Sequence, residues 1–176
     1  MWLYDGKEID ESQLEDYIGF VYVITNETNG RRYLGKKLLK FKRTKKVKGK
    51  KKKLLVDSDW RDYWGSNKVL IEEVKALGPE KFKREILRLC KARGEMNYFE
   101  AKYQFDSSVL ESDLWYNEWI MVKVHRAHLK KVDFSSDNGI IKLRMTGDRD
   151  APSSKEPSKT RKAKDRIKQE ARDEDA

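Results

Sequence analysis

The sequence predicts one mixed α/β domain of the α+β kind, carrying a basic loop and followed by an unstructured tail, and three observations lead there. A run of β-branched and aromatic residues ends on Asn29-Gly30 and returns, which reads as a hairpin. Two later segments place apolar residues at helical spacing, with a short apolar run between them. The chain of 176 residues is long enough for one domain of ordinary size, whereas residues 146–176 hold no aromatic side chain and cannot bury enough surface to offset chain entropy.

At the N-terminus Trp2-Leu3-Tyr4 and Lys7-Glu8-Ile9 flank Asp5-Gly6, a pair that favours a type I′ turn, so residues 1–17 read as a lead-in hairpin with a helical turn or two over 11–17. Gly19 opens the strongest strand, residues 20–25, which turns at Asn29-Gly30 and returns through 31–35. A two-residue loop there pairs Thr28 with Arg31, Asn26 with Tyr33 and Thr25 with Leu34, which puts Tyr22 and Tyr33 on the same sheet face. A three-residue loop would separate them. Two strand tyrosines ordinarily serve packing.

Ser66 is a good N-cap for a helix over 67–77 with Leu70, Val74 and Leu77 as its stripe, stopped by Gly78-Pro79. Residues 82–89 read as a strand and 94–105 as a second helix, with Met96, Phe99 and Tyr103 facing the core. Glu100 falls beside that face, where an acid costs free energy unless it is paired, solvated or bound to a cation; Glu95 and Lys102 lie off it. Residues 114–131, with Trp115, Tyr116, Trp119 and the alternation of Met121, Lys123 and His125, fit a helix or a strand. His125 and His128 lack nearby carboxylates and are weak as a metal site.

The net charge of +10 is local. Residues 36–53 hold eleven lysines, one arginine and no acid, so this stretch carries +12 and the remainder of the chain −2. Repulsion between neighbouring ammonium groups and the break at Gly49 point to an exposed loop or arm, placed inside the folded region where contact with phosphates outweighs a merely solvated run. If about six of these charges met phosphates, affinity would drop roughly a thousandfold between about 50 and 200 mM salt. Cys90 is the sole cysteine, which excludes an internal disulfide and a Cys-based zinc site. With no bilayer-length apolar run and no secretion-type start, a soluble, cytoplasmic protein is expected, with a core domain over 18–131 and a disordered charged tail over 132–176.

Gly19-Phe20-Val21-Tyr22, with Tyr33-Leu34-Gly35 eleven positions on from tyrosine to tyrosine, resembles the paired signature of the GIY-YIG nuclease family. The resemblance continues through Tyr63-Trp64-Gly65-Ser66, Leu70, Gly78, Phe82, Ile86-Leu87, Glu100 and Tyr116-Asn117, covering residues 19–117, and extends to endonucleases encoded by tailed phages, homing-type or host-DNA-degrading. It implies a small three-stranded antiparallel sheet flanked by helices, cleaving double-stranded DNA with one divalent cation, Mg2+ or Mn2+. By that resemblance Glu100 is the single metal ligand, Tyr22 orients or deprotonates the attacking water, Tyr33 hydrogen-bonds water or phosphate, and Asn117 supports the site. Arg43 takes the phosphate, with Arg61 and Lys37 as alternatives. The family's usual histidine has no counterpart between Tyr33 and Glu100, so Tyr63 or a lysine stands in for it. Lys36, Lys37, Lys40, Lys42, Lys45, Lys46, Lys50 and Lys51, with Arg61, Ser66 and Lys68, are the expected DNA contacts, and a pair of copies on DNA would be needed to break both strands with one metal site each. The competing class is a non-catalytic nucleic-acid-binding module that uses the Lys-rich arm 36–53, and a more remote one an RNA-binding basic protein. An acid facing phosphate favours the enzyme.

Overall fold

A computed structural model describes residues 1–47 and 50–134, excluding the side chains at 45–47 and 50–52; the expected tail beyond 134 and the break at Gly49 therefore lie outside the described residues. Strands β1 (Trp2–Tyr4) and β2 (Lys7–Glu8) close on Asp5 and Gly6, whose φ angles of 51° and 76° are those an Asp-Gly type I′ turn requires. A short 3-10 turn, Glu11–Leu14, follows, boxed by Asp10 and Gln13. The main sheet is built from β3 (Gly19–Asn26) and β4 (Arg32–Leu38) together with a later strand over Phe82–Cys90.

Of the two readings of the Lys-rich segment, loop or arm, the structure has the arm: Lys36 and Lys37 lie near the end of β4, and from Lys40 the chain forms an antiparallel ribbon, β5 (Lys40–Val47) against β6 (Lys50–Asp57), separate from the main sheet. Charge repulsion disfavours a helix, but in a strand successive side chains leave on opposite faces, which halves the crowding. Helix α1 (Lys68–Leu77) is capped by Asn67, whose side chain accepts from the Leu70 amide at 3.0 Å, rather than by Ser66. After it come β7 (Phe82–Cys90) and α2 (Arg93–Asp106).

The sheet has five strands in the order β2-β1-β7-β3-β4, with β1 parallel to β7 and the other pairs antiparallel, so the expected three-stranded sheet is enlarged by the N-terminal hairpin. Trp2 explains the addition. It is 3% exposed, packs edge-on against Phe20 and Tyr22, and donates its indole N–H to the Trp60 carbonyl at 2.7 Å.

The β3–β4 register differs from the expected one. Thr25 pairs with Arg32 and Ile24 with Tyr33, a slip of two residues, because residues 27–30 form a longer loop. Asn26 builds that loop: its carbonyl accepts from the Gly30 amide and its side chain from the Thr28 amide and hydroxyl. A slip of two conserves side-chain parity, so Tyr22 and Tyr33 still share a face. That face holds Phe20, Tyr22, Ile24, Trp60 and Leu70, whereas Val21, Val23 and Leu34 on the other face meet Met96, Phe99 and Tyr103 of α2.

Residues 114–131 are neither helix nor strand, apart from a bridge between Arg32 and Trp115 and a 3-10 turn, Arg126–Leu129, where His125 and His128 cap the backbone. Two hydrogen bonds of 2.7 Å, Arg32 amide to Leu114 carbonyl and Tyr116 amide to Arg32 carbonyl, tie this segment along the outer edge of β4. Val132 and Phe134 return to α2. Among the described residues no helix is long and apolar enough to cross a membrane.

Candidate active site

Tyr22, 1% exposed, stands in β3 opposite Gly35, the residue of β4 that has no side chain. A Cβ at Gly35 would lie 2.7 Å from the Tyr22 hydroxyl and 3.0 Å from the Tyr33 ring, so only glycine lets the Tyr22 phenol lie across the edge strand. A register shift in the β3–β7 pairing between Val21 and Tyr22 falls at the same point; such bulges re-aim a side chain. Gly65, at φ 86°, gives way to the Tyr33 ring in turn, with its Cβ position 3.0 Å from that ring.

Three hydroxyls follow from this packing. Tyr22 is hydrogen-bonded to Tyr63, whose ring stands edge-on at 6.1 Å, and Tyr33 shares a 2.8 Å hydrogen bond with Ser66 Oγ. Tyr63 is held from behind: Arg84, wedged between Trp2 and Trp64, donates to the Arg61 and Tyr63 carbonyls at 2.9 and 3.1 Å. Glu100, on α2, forms the facing wall. Its carboxylate meets Lys36 Nζ at 2.5 Å and is 13% exposed.

Burial pushes the Glu100 carboxyl above its usual range, while the hydrogen bond and charge of Lys36 pull the other way. Tyr22 is raised well above the ordinary phenol value, first by burial and then by Tyr33, Tyr63 and Glu100. Burial also raises Tyr33, against the opposing hydrogen bond from Ser66. The phenols are therefore protonated at neutral pH in the free protein.

Asn117 performs a backbone task. It accepts from the Leu34 amide at 2.9 Å and donates to the Leu34 carbonyl at 2.8 Å, where Gln104 adds a 3.1 Å bond. This fixes the outer edge of β4 between Tyr33 and Gly35. Tyr116 is anchored similarly: its hydroxyl donates to Glu73 at 2.5 Å and accepts from Asn26 Nδ2 at 3.1 Å, and the Arg31 guanidinium is stacked 4.0 Å from its ring.

Tyr22, Tyr33, Lys36, Tyr63, Ser66, Lys68, Glu100 and Asn117 line one cleft of about 700 Å³, with Trp119 and Met121 exposed on its rim. Other sequence-derived candidates lie elsewhere. Arg43 stands on the ribbon over the Phe41 ring, Arg61 is bound to Glu11 at 2.6 Å and stacked on Trp60, and Lys37 is held by Asp59 at 2.7 Å over the Tyr63 ring. Among the described residues no arginine lines the cleft. Lys40 and Lys42 are exposed on the ribbon, and Lys45, Lys46, Lys50 and Lys51 belong to its ladder.

Sequence reasoning placed Lys36 among the DNA contacts and missed its pairing with Glu100, which spans 64 positions. It also missed Gln104, although the i,i+4 spacing from Glu100 puts both on one face of α2. Glu95, read as off the core, is buried at 8%, paired with Arg88 at 3.3 Å and accepting from the Lys91 amide at 2.8 Å.

The cleft's donors are carboxylate, phenol, hydroxyl and amide oxygens, with no thiol or imidazole, and that set suits a hard cation. Among the described residues no three His, Cys, Asp or Glu gather into a metal cage, so a cation here would draw most of its shell from water and substrate.

A family model described as "Putative endonuclease segE, GIY-YIG domain" matches residues 2–120. No curated protein and no solved structure matches the chain.

Proposed function

The chain belongs to the GIY-YIG endonuclease family, whose members generally depend on a divalent metal, and on that premise we propose that its cleft hydrolyses phosphodiester bonds of double-stranded DNA. The observation that carries this reading is the convergence of a buried carboxylate, Glu100, with the phenols of Tyr22 and Tyr33 and the ammonium of Lys36 in one open cleft. A binding surface gains nothing from a buried acid that repels phosphate.

Glu100 would hold the cation, Mg2+ or Mn2+. Bound there, the cation supplies charge relief for phosphoryl oxygens and eases deprotonation of water. The chain's own residues bind and orient. Tyr33, steadied by Ser66, presents a hydroxyl to phosphate or water. Tyr22 is too strongly protonated to act as a base unaided, so its hydroxyl positions the water, and its bond to Tyr63 offers a path for a proton when added positive charge lowers its pKa. Lys36 takes the phosphate-facing role that sequence reasoning gave to Arg43, and Lys68 and Ser66 contact the flanking backbone. Asn117 is a positioning residue that sets the edge on which Tyr33 and Gly35 stand.

One observation favours a second reading, a non-catalytic nucleic-acid-binding module: among the described residues no arginine lines the cleft. Supercoiled plasmid incubated with Mg2+ separates the two. Wild type is expected to nick, and Glu100→Ala to bind the plasmid without nicking; equal nicking by both proteins across a range of salt would leave the binding module.

A further inference from the structure

We infer that the β5–β6 ribbon inserts into the major groove of double-stranded DNA and extends the contact to about ten base pairs on one side of the cut. The inference rests on the nuclease reading, since it takes the cleft as the place where the phosphate is cut.

The ribbon is built as a projection. Its strands pack chiefly on each other, and Lys42, Arg43, Thr44 and Lys53 through Val56 are exposed on both of its faces. A two-stranded hairpin alone is marginal in water. The ribbon's backbone register sets position 45 opposite 52 and 46 opposite 51, all lysines in the sequence. Residues 40–57 hold nine lysines and one arginine against one aspartate, a net charge of +9. A polyanion is the partner that complements such a charge.

Its root, by contrast, is fixed. The Leu39 amide donates to the Ile18 carbonyl at 2.9 Å, the Ser58 amide to the Leu39 carbonyl at 2.8 Å, and Lys37 grips Asp59 across the base, with Leu39 and Trp60 buried beneath. The stalk is therefore aimed by the same strand that carries Lys36 into the cleft.

Geometry selects the groove. Residues alternate faces along each strand, so Lys42 and Lys53 share one face, with Arg43 on the other. A strip lying on one strand of phosphates needs charge on a single face, whereas an element between two phosphate walls needs it on both. Two strands about 4.8 Å apart fit a major groove about 12 Å wide. From Lys36 to Val47 the chain rises eleven residues, at most about 37 Å, or about eleven base pairs at roughly 3.4 Å each.

The test uses the full chain carrying Glu100→Ala, so that DNA is bound and not cut. Hydroxyl-radical footprints and the salt dependence of binding to a labelled duplex are compared for that chain, for a form with residues 41–56 replaced by a Gly-Ser turn, and for Lys45, Lys46, Lys51 and Lys52 all changed to Gln. The expected result is loss of up to about seven protected base pairs on one flank in the turn form, since residues 41–47 rise at most about 24 Å. In the Gln form the slope of log affinity against log salt should be shallower by up to about 3.6, four contacts at roughly 0.9 each. Methylation of guanine N7 on that flank should interfere with binding. Unchanged footprints and slopes, or flank protection indifferent to N7 methylation, would overturn the groove placement while Glu100-dependent nicking stands. Absence of nicking by wild type would instead remove the nuclease reading, and this inference with it.

Discussion

Replacing Gly35 with alanine puts a methyl carbon 2.7 Å from the Tyr22 hydroxyl oxygen, 2.9 Å from its ring carbon and 3.0 Å from the Tyr33 ring. An ordinary carbon–oxygen contact is about 3.3–3.6 Å, so the hydroxyl must retreat by about 0.7 Å. Retreat is blocked. Tyr22 is packed by Trp2, Phe20 and Tyr63, and its hydroxyl is bonded to Tyr63. Overpacking of this kind costs about 1–3 kcal/mol, which lowers the melting temperature by roughly 3–10 °C. A displacement near 1 Å at a reacting group costs on the order of a hundredfold in rate, so plasmid nicking should fall by about 30- to 100-fold. The double variant Gly35→Ala with Tyr22→Phe loses the closest contact, and should recover part of the melting temperature and none of the activity. A Gly35→Ala protein with wild-type melting temperature and wild-type nicking would refute the packing and the assignment of Tyr22 together.

Four further outcomes are expected. Tyr22→Phe should lose nicking while retaining DNA affinity measured by fluorescence anisotropy, and equal nicking rates would remove Tyr22 from the chemistry. Glu100→Gln tests the raised carboxyl: the unfolded chain loses this proton first as pH climbs, so the wild type sheds stability above the usual carboxylate range. The melting temperature of Glu100→Gln relative to wild type should therefore improve between about pH 4 and about pH 7, and a decline would contradict the burial argument. Asn117→Ala orphans the Leu34 amide, Gln104 still serving the carbonyl, and should cost about 1–3 kcal/mol in denaturant unfolding along with slower nicking. Chelation by EDTA should abolish nicking and leave the binding to duplex measurable, and added Mg2+ should restore it.

Much of the architecture was legible because it depends on local signals. Asn29-Gly30 and Asp5-Gly6 marked their turns, and the shared face of Tyr22 and Tyr33 survived a misjudged register because the slip was even. That the N-terminal hairpin joins the main sheet was not legible, since Trp2 holds its place by contacts with Phe20 and Trp60 and by a parallel pairing with Arg84, far along the chain. A lysine run says little of strand structure, because β propensity reflects packing partners and the ribbon has few. Within the site, Glu100 stood out as an acid beside an apolar stripe, and helical periodicity suffices for that. Which cation it faces needed coordinates: Lys36, Lys37, Arg43 and Arg61 are chemically alike in sequence, and strand parity, an ion pair with Glu11 and departure into the ribbon decide among them. Glu95 was misread for the same reason, as its partner Arg88 sits on β7.

The most direct measurement is single-turnover cleavage of an end-labelled duplex by wild type and Glu100→Gln at protein concentrations that saturate binding in both, with Mg2+ present. Strand scission by wild type, with a rate at least a hundredfold lower for Glu100→Gln at equal occupancy, is the expected result. Equal rates, or no scission by either protein while both bind, would contradict a phosphodiester-cleaving site built around that carboxylate.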